Sequence, residues 1–298
     1  MSTKKITRRD LLKSSATFAI GSALYLNSPV KLWGQWNTSK TRVVLIRDER
    51  LPGYGVNPDP QIVKEMLNKA LCALLDEKDA SKAWAKIIKP TDVVGIKTNV
   101  WNELHTPHEL ENAIKDGVLQ VGVKAENISV NDRGVRSDPV FQNATALINT
   151  RPMRAHAWAG VGTLMKNYIM FAQKPSDYHP DSCADLAKLW ELPQVKGKTR
   201  LNVLVMFTPQ FHCVGAHSFS TDYIWDYKGM LVGIDPVAVD SVGLRIIQGI
   251  RNEYFKEERP LNPPAKHIEL ADTRHKLGTA DPAKIELIKL GWEKGSFV

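Results

Sequence analysis

Cysteine is scarce in this chain. Cys72, Cys183 and Cys213 are the only three in 298 residues, and no two stand in a C-x-x-C pair. A cluster of iron and sulfur held by four thiolates is therefore excluded within this chain. Long apolar runs are missing as well: the uncharged stretch at 14–26 is broken by Gly21 and several serines, and is too short to cross ~30 Å of hydrocarbon. There is no G-x-S-x-G elbow and no Ser/His/Asp order, which leaves an α/β-hydrolase without support. Nor is there a Walker loop. The formal charge of +8 is concentrated at one end, because residues 1–35 hold five of those net charges and leave +3 for residues 36–298. So small an excess gives no basic face for nucleic acid, which is excluded as a partner.

What is present is an ordinary globular composition, 43% hydrophobic and 24% charged, with 19 Gly and 17 Pro. A chain of this length buries a large core without covalent staples. Residues 4–13 read Lys-Lys-Ile-Thr-Arg-Arg-Asp-Leu-Leu-Lys ahead of the uncharged stretch. Paired arginines followed by a weakly apolar run are the pattern of a twin-arginine export signal. The sequence thus divides into a signal segment at 1–35, a polar linker at 36–41 and a single α/β domain at 42–298. The partner implied is the twin-arginine export machinery, and the location is the periplasm or cell envelope. In such a compartment one disulfide between Cys183 and Cys213 is permitted.

Short apolar runs at 42–47, 92–98, 127–131, 201–207 and 229–234 read as buried strands. Between them, Ile62, Val63, Met66, Leu67, Ala70, Leu71, Leu74 and Leu75 recur at three and four, one face of a helix, and Cys72 falls in the same pattern. Residues 108–121 form a second helical pattern. Asp59-Pro60, Asp138-Pro139, Asp235-Pro236 and Asp281-Pro282 each set an N-cap carboxylate before a proline at the first helical position. Strands alternating with helices predict an α/β layered sandwich, a largely parallel sheet flanked by helices, with its ligand crevice beyond the strand carboxyl ends. Residues 208–228 and 255–266 are expected to be long loops.

Several side chains point to that crevice. Lys97 and Asn99 lie two apart at the end of a strand, a cation and an amide suited to a carboxylate or phosphate. Gly160, Gly162 and Thr163 precede Leu164, Lys166 and Asn167, a turn that opens a helix with free amides for an anion. His156, ten residues before Lys166, is a candidate general base or metal ligand. Asp240 is a carboxylate among apolar helical positions and needs a buried partner, for which Lys97 or Lys166 would serve. Asp132 and Arg133 occupy a similar strand edge. His212, Cys213 and His217 form the densest metal-ligand group, with His105 and His108 as a second pair, though no spacing matches a closed zinc site.

Three segments together carry a resemblance: Val-Val-Gly-Ile-Lys-Thr-Asn at 93–99, Arg-Pro-Met-Arg-Ala-His-Ala-Trp-Ala-Gly-Val-Gly-Thr-Leu-Met-Lys-Asn at 151–167, and Gly-Met-Leu-Val-Gly-Ile-Asp-Pro-Val-Ala-Val-Asp at 229–240. In this order they resemble the bacterial and archaeal family grouped as domain of unknown function 362, over about 42–291. The resemblance implies family positions at Lys97, Asn99, His156, Lys166, Asn167, Asp235 and Asp240. Arg154 stands where the family commonly has lysine. Many members carry a ferredoxin-like cluster domain, whose cysteines this chain lacks. The function expected is that of an exported protein binding a small anionic ligand or a metal, with proton transfer or hydrolysis by His156 and Lys166. The alternative is a non-catalytic accessory protein or subunit of an exported redox complex, with residues 208–228 as its contact surface.

Overall fold

A computed structural model describes residues 40–213 and 219–298. The expected signal at 1–35, most of the linker and His217 lie outside the described residues. Strands β1 (Thr41–Arg47), β2 (Val94–Lys97), β3 (Ile128–Asn131), β4 (Ala146–His156), β5 (Gly160–Gly162), β6 (Thr199–Gln210), β7 (Gly229–Gly233) and β8 (Ile285–Gly291) form one sheet. Its order is β3-β2-β4-β6-β7-β1-β8, with β5 paired to β4 outside that path. β7 runs antiparallel to β6 and β1, and β5 antiparallel to β4. The other pairings are parallel.

Helices cover both faces. On one side α1 (Pro60–Leu75), α2 (Ala80–Ile87) and α3 (His108–Gln120) pack Leu67, Leu71, Trp84 and Ile114 against Val44, Ile96, Ile148 and Val203 of the sheet. On the other, α4 (Pro139–Gln142), α5 (Leu164–Asn167), α6 (Pro236–Phe255) and α7 (Lys266–Thr273) bring Phe141, Leu164, Val239, Val242 and Ile268 onto Val43, Leu147, Leu204 and Leu231. The α/β sandwich is thus a three-layer structure. Each Asp-Pro pair caps as the sequence predicts: Asp59, Asp138, Asp235 and Asp281 accept from backbone N–H groups two or three residues on, although Asp281 caps only a 3-10 turn. Helix α1 buries Val63, Met66, Leu67, Ala70, Leu71 and Leu74, while Cys72 is half-buried at its margin.

Four strands differ from the sequence reading. β4, β5 and β8 are additional, and β6 runs to Gln210. Every residue of β4 is buried, including Asn149, Thr150, Arg151, Arg154 and His156, so no polar alternation marks it. Pro152 further masks it, and the β4–β6 register shifts between Pro152 and Arg154, the kind of irregularity that lets proline sit inside a sheet.

The position of the crevice follows from this topology. From β2 the chain moves outward to β3 by way of α3, then returns past β2 to β4 by way of α4 on the opposite face. Strand order therefore reverses at the β2–β4 boundary, where the carboxyl ends of an open α/β sheet part to leave a ligand crevice.

Candidate functional site

A cavity of about 280 Å³ opens at that boundary, lined among others by Asn99, Trp101, Arg151, Arg154, His156 and Lys166. Asp132, Arg133, Asn167, Trp158 and His179 complete its polar and aromatic wall. Strand β2 places Lys97 behind this lining, bonded to two of its residues, Asp132 and Asn167. The ammonium is fully buried and donates to the Asp132 carboxylate, to the Thr98 carbonyl at 2.7 Å and to Asn167 Oδ1 at 3.2 Å. Asp132 accepts a further bond from the Val100 amide at 3.0 Å, which draws the loop after β2 across the end of β3. Burial lowers the Lys97 pKa despite its carboxylate partner.

Asn167 holds this region together. Its amide donates to Asn149 Oδ1 at 2.9 Å and to the Thr150 carbonyl at 3.1 Å, while Asn149 donates to the Leu164 carbonyl at 3.1 Å. The short helix α5 is thereby fastened to β4.

The cations of the lining are differently placed. Arg151 and Lys166 are each 4% exposed, and Arg154 stacks its guanidinium 3.8 Å from the centre of the Trp101 ring. The Nε of Arg151, the Nε of Arg154 and the Nζ of Lys166 are buried without a hydrogen-bond partner. Burial pushes Arg151 down to about 10 and Lys166 down to about 8. Arg154 falls to about 9 through burial and then the charge of Arg151. The Cys183 thiol partly offsets the effect on Lys166.

His156 is almost fully buried among these cations. Burial, then Arg154, Arg151 and Lys166, push its pKa down to about 2. Its Nδ1 accepts from the Trp158 amide at 3.2 Å, so the ring is neutral with its proton on Nε2. In that tautomer it is a hydrogen-bond donor to the cavity, and the base role expected from the sequence requires a different state.

Other sequence-predicted residues occupy supporting positions. The amides at the start of α5 are taken: Asp240 accepts from the Leu164 and Met165 N–H groups at 3.1 and 2.9 Å, and from the Thr163 hydroxyl at 2.5 Å. The anticipated pairing of Asp240 with Lys97 or Lys166 is replaced by this cap, and Asp240 lies behind α5, away from the cavity lining. Gly160 and Gly162 lie outside the cavity lining, each with close neighbours where a side chain would be. A side chain on Gly160, whose φ is +72°, would meet the Ala265 nitrogen and the Pro263 carbonyl at 2.7 Å; one on Gly162 would sit 2.7 Å from Arg151 Nη2. Gly162 thus clears the path of a cavity guanidinium. Asp235, besides capping α6, accepts from the Thr279 amide at 2.8 Å.

Among the described residues the metal candidates do not assemble into a donor group. His212 lies beside Arg251, with Nδ1 3.1 Å from Nη1, and packs edge-on to Tyr223. Cys183 and Cys213 are free thiols. His105 and His108 are exposed. Among the described residues no three of His, Cys, Asp and Glu are grouped as metal donors, and no helix is long and apolar enough to cross a membrane.

The model of the family described as "Domain of unknown function (DUF362)" matches residues 94–245, just over half of the chain. The chain belongs to that family. The matched stretch opens with β2 and closes within α6, so it contains Lys97, Asp132, every cavity residue and Asp240, while β1, α1, α2 and β8 fall outside it. It is narrower than the 42–291 suggested by motif resemblance. No curated protein and no solved structure matches the chain.

Sequence reasoning passes over Arg151, Trp101, Trp158, His179 and the buried His267 as site or near-site residues. Arg151 sits five residues before His156, and only knowledge that β4 extends past its neighbours places both at one edge. His267, on α7, is fully buried with neither ring nitrogen hydrogen-bonded; burial, then Lys166 and Arg151, push its pKa down to about 3.

Proposed function

We propose that the carboxyl-edge cavity binds a small organic or inorganic anion, a carboxylate or phosphate, through Arg151, Arg154, Lys166 and Asn99. The observation that carries this reading is a set of three buried cationic groups facing one cavity, each with a nitrogen that has no hydrogen-bond partner. A buried charge without a partner is costly, and an anion of matching size supplies the missing acceptors. Arginine suits planar, bidentate recognition of such groups. His156 contributes a neutral N–H donor, and chemistry at the site falls to Lys166, whose pKa of about 8 lies close enough to neutrality to move a proton. The paired lysine, Lys97, acts by positioning Asp132 and Asn167.

Residues 4–26 support the further reading that the protein is exported through the twin-arginine pathway and works in the periplasm or cell envelope. Thermal denaturation with phosphate, acetate and pyruvate tests the ligand reading, since a ligand bound only by the native state raises the midpoint, by about 2.7 kcal/mol of stability at a hundredfold excess over Kd. No shift with any of the three anions removes it.

A further inference from the structure

Two buried lysines meet at this edge, and they are not equivalent. Lys97 directs its N–H groups at Asp132, the Thr98 carbonyl and Asn167, so its nitrogen is fully engaged. Lys166 Nζ has no such partner, although its side chain is also deeply buried and lines the cavity with Arg151, Arg154 and His156. Desolvation, opposed by the Cys183 thiol and reinforced by the two neighbouring guanidiniums, lowers the Lys166 pKa to about 8, which brings the neutral amine within reach near neutral pH. A neutral primary amine keeps its lone pair, and a lysine desolvated beside fixed positive charge is a nucleophile toward carbonyl carbon. The same guanidiniums line the cavity beside it, and guanidinium is suited to a carboxylate.

We propose that Lys166 forms an imine with the carbonyl carbon of a short oxo acid whose carboxylate is held by Arg151 and Arg154. The inference rests on the anion-site reading and narrows it to a substrate class. In the step the amine lone pair makes the carbon–nitrogen bond while the carbonyl π pair moves to oxygen. The carbon–oxygen bond then breaks, and the oxygen departs as water with the two hydrogens that the amine gave up. No oxidant or reductant is consumed. His156, a neutral donor lining the same cavity, suits the oxygen on which charge develops.

Pyruvate with sodium cyanoborohydride tests this on the full chain, because the reductant fixes an imine as a stable secondary amine that peptide mass mapping locates. The expected result is a reduced pyruvyl group on Lys166, at least roughly tenfold more abundant than the adduct from acetone, which has the carbonyl but no carboxylate to orient it. Phosphate in excess should suppress the pyruvate adduct, and Lys166→Arg should abolish it. Because that buried substitution is open to misfolding, the adduct map of the wild-type chain is the deciding measurement. Pyruvate that binds by calorimetry yet leaves Lys166 unmodified overturns the imine while sparing the anion site. Adducts spread over surface lysines with Lys166 bare also overturn it. Absence of both binding and adduct removes the anion site and the imine together.

Discussion

The carboxylate of Asp240, on α6, closes over the start of α5 by accepting from the Thr163 hydroxyl and from the amides of Leu164 and Met165. Helix α5 is one turn long and has no length with which to hold itself, so this clamp and the Asn149–Asn167 bond fix where Lys166 points. Burial keeps the carboxyl pKa raised to about 7 against these three donors. Asp240→Ala leaves the donors unsatisfied in a dry setting and should destabilise the fold by roughly 2–3 kcal/mol. Urea unfolding measures it, and a variant as stable as the wild type would show that α5 is held by something else.

The two glycines of β5 should separate by phenotype. Gly160→Ala places a side chain against backbone of Ala265 and Pro263 in a left-handed conformation, and should cost about 1 kcal/mol or more in stability. Gly162→Ala instead presses on the end of Arg151, so anion affinity should fall with a smaller loss of stability. Parallel denaturation and binding measurements on the pair check this; equal effects of both substitutions on binding would remove the special role of Gly162.

Anion affinity should depend on alkaline pH. The Lys166 amine, lowered to about 8, loses its proton above that pH in the unliganded protein, while the guanidiniums stay charged, and a bound anion raises the lysine value by favouring its charged form. Affinity is therefore flat below pH 8 and declines above it, until the Lys166 pKa of the complex is passed. Isothermal titration from pH 6 to 10 follows the decline, which Lys166→Met should make shallower. An affinity rising with pH contradicts the assignment.

His267 gives a prediction on the acid side. Its folded pKa of about 3 lies below the ordinary value of 6.5. Between the two the unfolded chain holds a proton that the folded one lacks, so stability falls as pH drops from 6.5 toward 3. The loss is about 1.4 kcal/mol per pH unit for one such group. His267→Leu removes this component and two unpaired ring nitrogens. Its stability should fall less steeply with acid than that of the wild type, and identical slopes in the two proteins would mean that His267 does not carry the charge difference.

Much of the scaffold is legible in the sequence because local rules decide it. The four Asp-Pro pairs specify their own caps, and the three-and-four spacing of α1 matches the face it buries. The strands that escape such a reading carry less local signal: β4 mixes arginine, asparagine and proline into a buried run, and β8 alternates weakly at an edge. At the site, Lys97, Asn99, His156, Lys166 and Asn167 stand out at strand and helix ends and do converge. Arg151 and Trp158 do not stand out, since their place depends on how far β4 overshoots its neighbours. The glycine turn misleads for a physical reason: a carboxylate 75 residues away in sequence already fills the anion position that the turn creates.

The most direct test of the account is a calorimetric titration of phosphate and of pyruvate into the full chain beside Arg151→Met, a substitution that keeps most of the side-chain volume and removes the charge. The account predicts single-site binding by the wild type and a loss of roughly ten- to a hundredfold in the variant, the worth of one charge-assisted hydrogen-bonding group. Binding of equal strength in both proteins, or no binding of either anion by the wild type, would contradict it.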